Sequence, residues 1–235
     1  MISIIIPVFN HAHTLKRCFF SIFKQTARPL EVIVVNDGSI DNFKQTIGEI
    51  LAVSDYKELN IKVVEQENAG ASLARNMGFR ESKGDYVIFW DADTIARPEM
   101  LKKMIMTLQN NSQASYVYCQ FRFGWKKMKS HKFDPILLKK MNYIDTTSLI
   151  RRVDFPVRGF DESLKRFQDW DLWLTMLAQN KTGVLAPEIL FKKIVSGRKG
   201  MSSWLPSFMF KLPWKCNKVL EYEQAREVIL KKHLN

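Results

Sequence analysis

Short apolar runs alternate with amphipathic stretches over roughly the first 95 residues. Residues 2–8 and 31–35 are β-branched runs bounded by turn-forming residues, and they predict strands buried on both faces of a parallel sheet. Leu15, Phe19 and Ile22 recur at helical spacing between these runs and predict a helix. The pattern also predicts a helix over 43–53, a strand over 61–65, a helix over 71–82 and a strand over 85–90.

This β-α order predicts a parallel sheet with right-handed crossovers and helices on its faces. Asn10 and Thr14 are the two candidates to cap the first helix. Ligands bind such sheets at the carboxyl ends of the strands. Polar residues follow every predicted strand there, in segments 9–10, 36–39, 66–70 and 91–93.

The second half of the chain has a less regular pattern. Trp170, Trp173, Leu174 and Leu177 lie at i, i+3, i+4 and i+7 and predict an amphipathic helix over 169–179. The other predictions are a helix over 101–108, one or two strands within 114–125, a basic connector over 126–132, a strand over 143–151 and a final helix over 218–232.

Composition and charge narrow the classes of partner. The 235 residues are 46% hydrophobic and 26% charged, which suits one folded domain with a full core. The net charge of +12 predicts an anionic partner: nucleic acid, phospholipid headgroups or a phosphorylated small molecule. The basic residues are spread along the chain and match no zinc finger, RRM or bZIP pattern, so nucleic acid is not the expected partner.

Cysteine usage and hydropathy bear on the compartment. Cys18, Cys119 and Cys216 are odd in number and widely spaced, so they suggest neither a disulfide framework nor a zinc cluster. No apolar stretch approaches the roughly 18 residues that a membrane span needs. We therefore expect a cytoplasmic location.

Asp91 and Asp93 are the strongest candidates for chemistry. Alternate carboxylates that leave a strand project to one side, where Mg²⁺ or Mn²⁺ can share them with substrate phosphates and water. A bare D-x-D tripeptide is more often a solvated turn. Its position after a buried strand favours a metal and nucleoside diphosphate site.

Two further segments are compatible with nucleotide binding. Asp37 precedes Gly38 at a strand end, where it would either form an Asx turn or accept hydrogen bonds from a base or ribose. Residues 68–76 open a helix after a strand, a place that favours an anion, and Arg75 and Asn76 lie on its first turns. An ordinary surface helix is the alternative.

Asp169 and Asp171 flank Trp170 at the start of a predicted helix. Helix capping explains one of them, and the other is a candidate general base in a partly dehydrated cleft. Trp170 and Trp173 are either core residues or a sugar-stacking wall. His11 and His13 have no obvious third ligand nearby, so we expect them to face solvent.

Four segments occur in an order that resembles the family 2 glycosyltransferases, which are inverting nucleotide-sugar enzymes of the mixed α/β GT-A fold. They are SIIIPVFN, VIVVNDGSIDN, ENAGASLARNMGFRESKGDYVIFWDADT and RGFDESLKRFQDWDLWLTMLAQNKTGVLAP. The resemblance covers roughly residues 1–202. It implies a GT-A domain over 1–202, with a nucleotide-binding half (1–95) and an acceptor half (96–202), and leaves residues 203–235 as an aromatic and basic helical extension.

The resemblance also assigns roles by position. Asp169 would be the base that deprotonates the acceptor hydroxyl, and Asp171 would be structural. Asp93 would bind Mn²⁺ or Mg²⁺, and Asp91 would contact the metal or the ribose. The nucleotide of the donor, a UDP-sugar by analogy, would be held by Pro7, Val8, Phe9, Asn10, Asp37, Asn68, Gly70, Arg75, Asp91, Ala92 and Asp93.

Two departures from the family pattern matter. Gln168 stands where relatives often have Glu before the presumed base, and no His occurs in segment 191–203. We therefore expect Lys or Arg from Lys192, Lys193, Arg198 and Lys199 to neutralise the diphosphate. A degenerate nucleotide- or glycan-binding module is the alternative reading. A nucleotidyltransferase would need a Gly-rich basic loop after the first strand, which PVFNHAHT does not provide.

The expected acceptor is a glycan or a lipid-linked molecule of cell-surface polysaccharide or glycolipid synthesis. Segment 203–215 combines Trp, Phe and Lys, which suits a peripheral contact with the inner face of an anionic membrane. Packing onto the domain, or a homodimer contact, is the alternative for this segment.

Overall fold

The computed structural model describes residues 1–128, 130–195, 214 and 216–234, and residues 1–95 have the predicted alternation of strands and helices. The first strand has the predicted limits, and the other elements differ from the prediction by one or two residues at their ends. The elements are β1 (Ile2–Val8), α1 (Ala12–Phe23), β2 (Leu30–Asp37), α2 (Phe43–Leu51), β3 (Asn60–Gln66), α3 (Ala71–Glu81) and β4 (Tyr86–Phe89).

The rest of the chain adds strands of both directions to this sheet. Four of its elements, β5, β7, α5 and the long β9, were not predicted, and the predicted strand over 143–151 is confined to three residues. The elements are β5 (Thr94–Ala96), α4 (Met100–Gln109), β6 (Ala114–Phe123), β7 (Lys126–Met128), α5 (Pro135–Lys140), β8 (Leu149–Arg151), α6 (Gln168–Ala178), β9 (Thr182–Lys193) and α7 (Asn217–Leu234).

The described strands form one mixed sheet in the order β3-β2-β1-β4-β8-β6-β9-β5, with β7 paired to β6. β1 is parallel to β2 and β4, and β2 is parallel to β3, as the β-α order predicts. β8 runs antiparallel to β4 and β6, while β5 runs antiparallel to β9. The expected GT-A architecture, a mixed sheet flanked by helices, is therefore confirmed.

Two local predictions are wrong. Lys126–Met128, placed in a connector, pairs with the end of β6 because Gly124, at φ +57°, allows a tight turn. Neither Asn10 nor Thr14 caps α1 with its side chain: the Asn10 Oδ1 accepts from the Ile40 N–H at 2.9 Å, and the Thr14 hydroxyl donates to the His11 carbonyl.

The core lies on both faces of the sheet because β1 is apolar at every side-chain position along most of its length. Ile4 and Ile6 pack on one face with Phe19 of α1. Ile5 packs on the other face with Trp173 of α6. Burying each such side chain fully contributes about 1.5–3 kcal/mol, so the strands that carry the candidate site are firmly held.

α7 docks on α6 through a buried charge cluster. The carboxylate of Asp171 is fully buried and accepts from Arg158 at 2.7 Å, from Lys232 at 2.8 Å and from His233 at 2.6 Å. Burial raises the pKa of Asp171, but hydrogen bonds from His233 and Lys232 outweigh it and bring that pKa below its ordinary value. Asp171 thus ties the C-terminal helix to the helix that begins beside Asp169.

Replacing Asp171 with Asn should lower the free energy of unfolding by about 3 kcal/mol, because Arg158, Lys232 and His233 lose a buried carboxylate partner. Denaturant unfolding at neutral pH measures this loss. Since the pKa of Asp171 is lowered in the fold, its contribution is present above the pKa of an unfolded carboxyl and disappears as pH falls through the folded pKa.

Asp161→Asn is the matched control for that experiment. It removes a carboxylate from the same Lys232, but this pair is partly exposed, so the expected loss is below about 1 kcal/mol. Equal losses in the two variants would contradict a stabilising role for the buried cluster.

Candidate active site

The carboxyl ends of β1 and β2 are joined by hydrogen bonds at one edge of the sheet. The Asn10 N–H donates to the Ser39 hydroxyl at 3.0 Å, and the Ala12 N–H donates to Asp41 at 2.9 Å. Asn10 itself adopts φ +56°. Pro7 is half-buried, Val8 is buried and Phe9 is exposed, so Phe9 presents an apolar ring at the edge where a nucleotide is expected.

Asp37 organises the loop that leads into α3. Its carboxylate accepts from the side chain of Gln66 at 2.7 Å and from the N–H groups of Ala69 at 2.8 Å and Gly70 at 3.0 Å. The Asn68 side chain donates to the Asp37 carbonyl, and Gly70 has φ +97°. The Asn68 side chain thus contacts the backbone of Asp37, and the buried Asp37 carboxylate fixes the backbone of residues 69–70 beside the expected nucleotide.

Arg75 joins the two halves of the domain. Its buried guanidinium donates to Asp91 Oδ1 at 3.0 Å and to Gln168 Oε1 at 3.0 Å, and it lies over the Phe160 ring. Gln168 immediately precedes Asp169, so one side chain connects the D-x-D segment to the start of α6. Gln168, whose identity departs from the family pattern, therefore supplies a neutral acceptor to this arginine.

Asp91 is bound by two cationic side chains. Besides Arg75, the ammonium of Lys193 contacts Asp91 Oδ2 at 2.8 Å. Burial raises the pKa of Asp91, but Lys193 and Arg75 outweigh it and lower that pKa well below its ordinary range. Ala92 is buried between the two aspartates. Asp91 is therefore a carboxylate anion with both oxygens engaged.

Asp93 differs from Asp91 in having a buried oxygen, Oδ1, without a hydrogen-bond partner in the described residues. Burial, together with the charge of Asp91, raises the pKa of Asp93 to about 7. An unpartnered buried carboxylate oxygen is costly unless a ligand completes it. Asp93 is thus the member of the pair that is open to a cation.

Lys193 was one of several basic candidates in the sequence, and the structure places its side chain among the carboxylates. Its ammonium contacts Asp145 Oδ2 at 2.7 Å as well as Asp91. β9 positions it because Lys193 pairs with Thr94, directly after Asp93. Burial lowers the pKa of Lys193, but Asp145 and Asp91 outweigh it and raise that pKa above its ordinary value, so the lysine is charged.

Asp169 lies in the first turn of α6, where its carboxylate is oriented from both sides. Oδ2 accepts from the Asn142 side chain at 2.8 Å, and Oδ1 accepts from the Trp170 N–H at 2.9 Å. Burial raises the pKa of Asp169, and the nearby charge of Asp145 adds to this effect. A carboxylate with a raised pKa is a better proton acceptor, as general-base catalysis requires.

The tryptophans beside Asp169 are core residues. Trp170 and Trp173 are at most 1% exposed, and their indole N–H groups donate to the carbonyls of Leu138 and Ile144. They do not offer a sugar-stacking face. Of the two histidines, His13 is exposed as expected, whereas His11 is more than half buried, with a lowered pKa caused by burial and by His13.

Sequence reasoning missed Asn142 and Asp145. Both lie in the loop between α5 and β8, which has no periodic pattern, and they contact Asp169 and Lys193 respectively. No spacing in the sequence marks them. The only signal was the run of four polar residues, 145–148, that interrupts the segment predicted as a strand, and Asn142 directly precedes that segment.

The described side chains can be compared with what a divalent cation, expected from the sequence, would need as ligands. No group of three or more His, Cys, Asp or Glu within the described parts of the chain is arranged to hold a metal ion. Mg²⁺ and Mn²⁺ need few protein carboxylates when substrate phosphates and water complete the coordination. The free oxygen of Asp93 fits that requirement.

Comparison with known proteins identifies the family. The sequence profile of Glycosyl transferase family 2 matches residues 3–167, more than half of the chain. An uncharacterized glycosyltransferase of Rickettsia typhi is 30% identical over 99% of this chain and 72% of its own length. Glycosyltransferase GlyG of Streptococcus pneumoniae is 36% identical over 46% of this chain, and the match spans 35% of GlyG.

Solved structures show the same fold. S. aureus TarS 1-349 in complex with UDP-GlcNAc has a TM-score of 0.71 at 19% identity, covering 100% of this chain and 71% of that one. Mannosyltransferase PcManGT from Pyrobaculum calidifontis, in complex with GDP-Man and Mn²⁺, has a TM-score of 0.69 at 16% identity. The match covers 99% of this chain and 72% of PcManGT. The chain therefore belongs to glycosyl transferase family 2 and is a glycosyltransferase of the GT-A fold.

Proposed function

We propose that this enzyme is an inverting glycosyltransferase that moves a sugar from a nucleoside diphosphate sugar to an acceptor hydroxyl. The donor we propose first is a UDP-sugar. The observation that carries the proposal is that the site holds two carboxylates whose pKa values are shifted in opposite directions. Asp169 has a raised pKa beside Asn142, while Asp91 is held anionic by Arg75 and Lys193. One carboxylate can accept a proton while the other anchors the donor side.

The donor would lie along the sheet edge formed by the ends of β1, β2 and β4. Pro7, Val8, Phe9 and Asn10 flank the nucleotide there. The loop that Asp37 holds through Ala69 and Gly70 presents its backbone to the donor. In two structural neighbours the bound donors are UDP-GlcNAc and GDP-Man, which supports a nucleotide sugar and leaves the base to experiment.

The transfer step needs a proton acceptor and charge stabilisation. Asp169 accepts the proton of the acceptor hydroxyl as that oxygen attacks the anomeric carbon, and the nucleoside diphosphate departs from the opposite side. A divalent cation at Asp93, when bound, would supply positive charge to the departing diphosphate. Lys193 and Arg75 hold Asp91 in place throughout.

The test is release of nucleoside diphosphate from UDP-, GDP- and dTDP-sugars with Mn²⁺ or Mg²⁺, comparing the wild type with Asp93→Ala. Metal-dependent turnover of one donor, lost in the variant, supports the proposal and names the donor. If nucleoside diphosphates neither bind nor are released, the donor proposal fails and a degenerate, glycan-binding module takes its place.

Asn142→Ala should move the acid limb of the activity profile to higher pH. The Asn142 hydrogen bond lowers the pKa of Asp169, so its removal raises that pKa further and more of the base is protonated at a given pH. Measurement of kcat/KM against pH for both proteins checks this. An unshifted acid limb would contradict the assignment of Asp169 as the titrating base.

The acceptor proposed is a glycan or a lipid-linked molecule, reached through a peripheral membrane contact of segment 203–215. That segment lies outside the described residues except for Trp214, which is 75% exposed. None of the helices in the described ranges is both long and apolar enough to cross a membrane. Cosedimentation with anionic vesicles tests the contact by comparing the wild type with a variant in which Trp204, Phe208 and Trp214 are replaced by Ser. This variant keeps α7, and equal binding of the two proteins would refute the contact.

A further inference from the structure

The ammonium of Lys193 occupies a position among carboxylates where a metal ion would otherwise be attracted. Its two shortest contacts are Asp91 Oδ2 at 2.8 Å and Asp145 Oδ2 at 2.7 Å, and Asp93 is close enough to interact with it electrostatically. The side chain is 10% exposed and lies beside the Phe121 ring. A fixed positive charge is therefore built into the acidic site.

We propose that Lys193 is an internal cation that keeps a free divalent ion out of this site, so that the ion enters on Asp93 only together with a nucleoside diphosphate. The inference rests on the proposed function and concerns the order in which the site is filled. It follows from which carboxylate oxygens are engaged and from the charges around them.

The engaged oxygens decide where an ion can bind. Both oxygens of Asp91 are bound, one by Arg75 and one by Lys193, and Asp145 Oδ2 is bound by Lys193. Asp93 Oδ1 is the buried oxygen without a partner in the described residues. No described side chain binds either oxygen of Asp93, and a single free carboxylate is a poor site for Mg²⁺ or Mn²⁺ without phosphate oxygens.

The local charge points the same way. Asp91, Asp93 and Asp145 carry three negative charges when ionised, and the positive charges of Arg75 and Lys193 neutralise two of them. Removing the lysine doubles the net negative charge, from one to two, and frees an oxygen on both Asp91 and Asp145. A dianionic diphosphate brings further negative charge and oxygen ligands, which is the condition under which the wild-type site accepts the ion.

The test measures Mn²⁺ binding by the decrease of the free-ion electron paramagnetic resonance signal, without turnover. Lys193→Met should bind Mn²⁺ alone at least about tenfold more tightly than the wild type. The wild type should gain affinity for Mn²⁺ when UDP or GDP is added. Lys192→Met is the matched control, since it removes the same charge from the same strand at an exposed position, and it should behave like the wild type.

A second variant covers the case in which Lys193→Met fails to fold because two buried carboxylates lose their cation. The double variant Lys193→Met with Asp145→Asn keeps the net charge of the cluster and still frees Asp91 Oδ2. It should bind Mn²⁺ more tightly than the wild type, and adding Asp93→Asn should abolish the gain. Equal Mn²⁺ affinity of the wild type and the folded lysine variants would overturn the inference.

The two proposals fail in different ways. If the wild type turns over a nucleotide sugar but binds Mn²⁺ alone as tightly as the lysine variants do, the role of Lys193 is wrong and the proposed function stands. If no nucleotide sugar is turned over and neither UDP nor GDP changes Mn²⁺ binding, both the proposed function and the inference fail.

Discussion

Asp169→Asn is expected to lower the rate of sugar transfer by about 10²- to 10⁴-fold, which is the usual contribution of a positioned general base. The asparagine keeps the shape of the side chain, and its Oδ1 can still accept from the Trp170 N–H, but its amide nitrogen can neither accept from the Asn142 side chain nor take the proton of an acceptor hydroxyl. Steady-state release of nucleoside diphosphate in the presence of acceptor measures the loss.

Donor binding should survive this substitution. Asp169 is hydrogen-bonded to Asn142 and to its own neighbour, whereas Arg75 and Lys193 hold the donor-side carboxylate. Calorimetric affinity for the nucleoside diphosphate should therefore be unchanged. Asp161→Asn is the control: it removes a partly exposed carboxylate that precedes Asp169 in the chain, and it should retain full transfer activity. Transfer by Asp169→Asn at the wild-type rate would remove this residue from the mechanism.

The first half of the chain was predictable because β1 and β2 are buried along nearly their whole length and α1 and α2 are strongly amphipathic. Ile2–Val8 is apolar throughout apart from Ser3 and Pro7, so its hydrophobic pattern alone sets its limits. β9 was not predictable in this way. Pro187 and Glu188 interrupt its apolar residues, and its pairing with β6 contains register shifts, so no period of two is visible in the sequence.

The candidate site was predictable where it follows strand ends and unpredictable where it depends on pairing across the fold. Asp91, Asp93 and Asp169 stand in recognisable sequence contexts. The choice of Lys193 rather than its neighbour Lys192 depends on which face of β9 points inward, and β9 itself was missed. Asp145 binds that lysine from a loop 48 positions earlier (193 minus 145), a contact that local pattern cannot reveal.

Arg75→Met should affect both stability and donor binding, because Arg75 is the buried link between α3, Asp91 and Gln168. Loss of one partner of a buried ion pair costs about 3–5 kcal/mol, and Lys193 remains to compensate Asp91, so we expect about 3 kcal/mol. For a chain of this size that corresponds to a fall in Tm of about 6–12 °C. Affinity for nucleoside diphosphates should fall at least about tenfold as Asp91 loses one of its two anchors.

Two further variants separate charge from geometry. Arg75→Lys keeps the positive charge but has a single ammonium, which cannot reach Asp91 and Gln168 at once, so it should recover only part of the stability and affinity. Arg80→Met removes an exposed arginine from the same helix and should leave Tm within about 2 °C of the wild type, since surface substitutions rarely change stability by more than about 0.5 kcal/mol. If Arg75→Met had the same Tm as the wild type, the contacts of Arg75 with Asp91 and Gln168 would not stabilise the fold. Lys193 alone would then hold Asp91 in place.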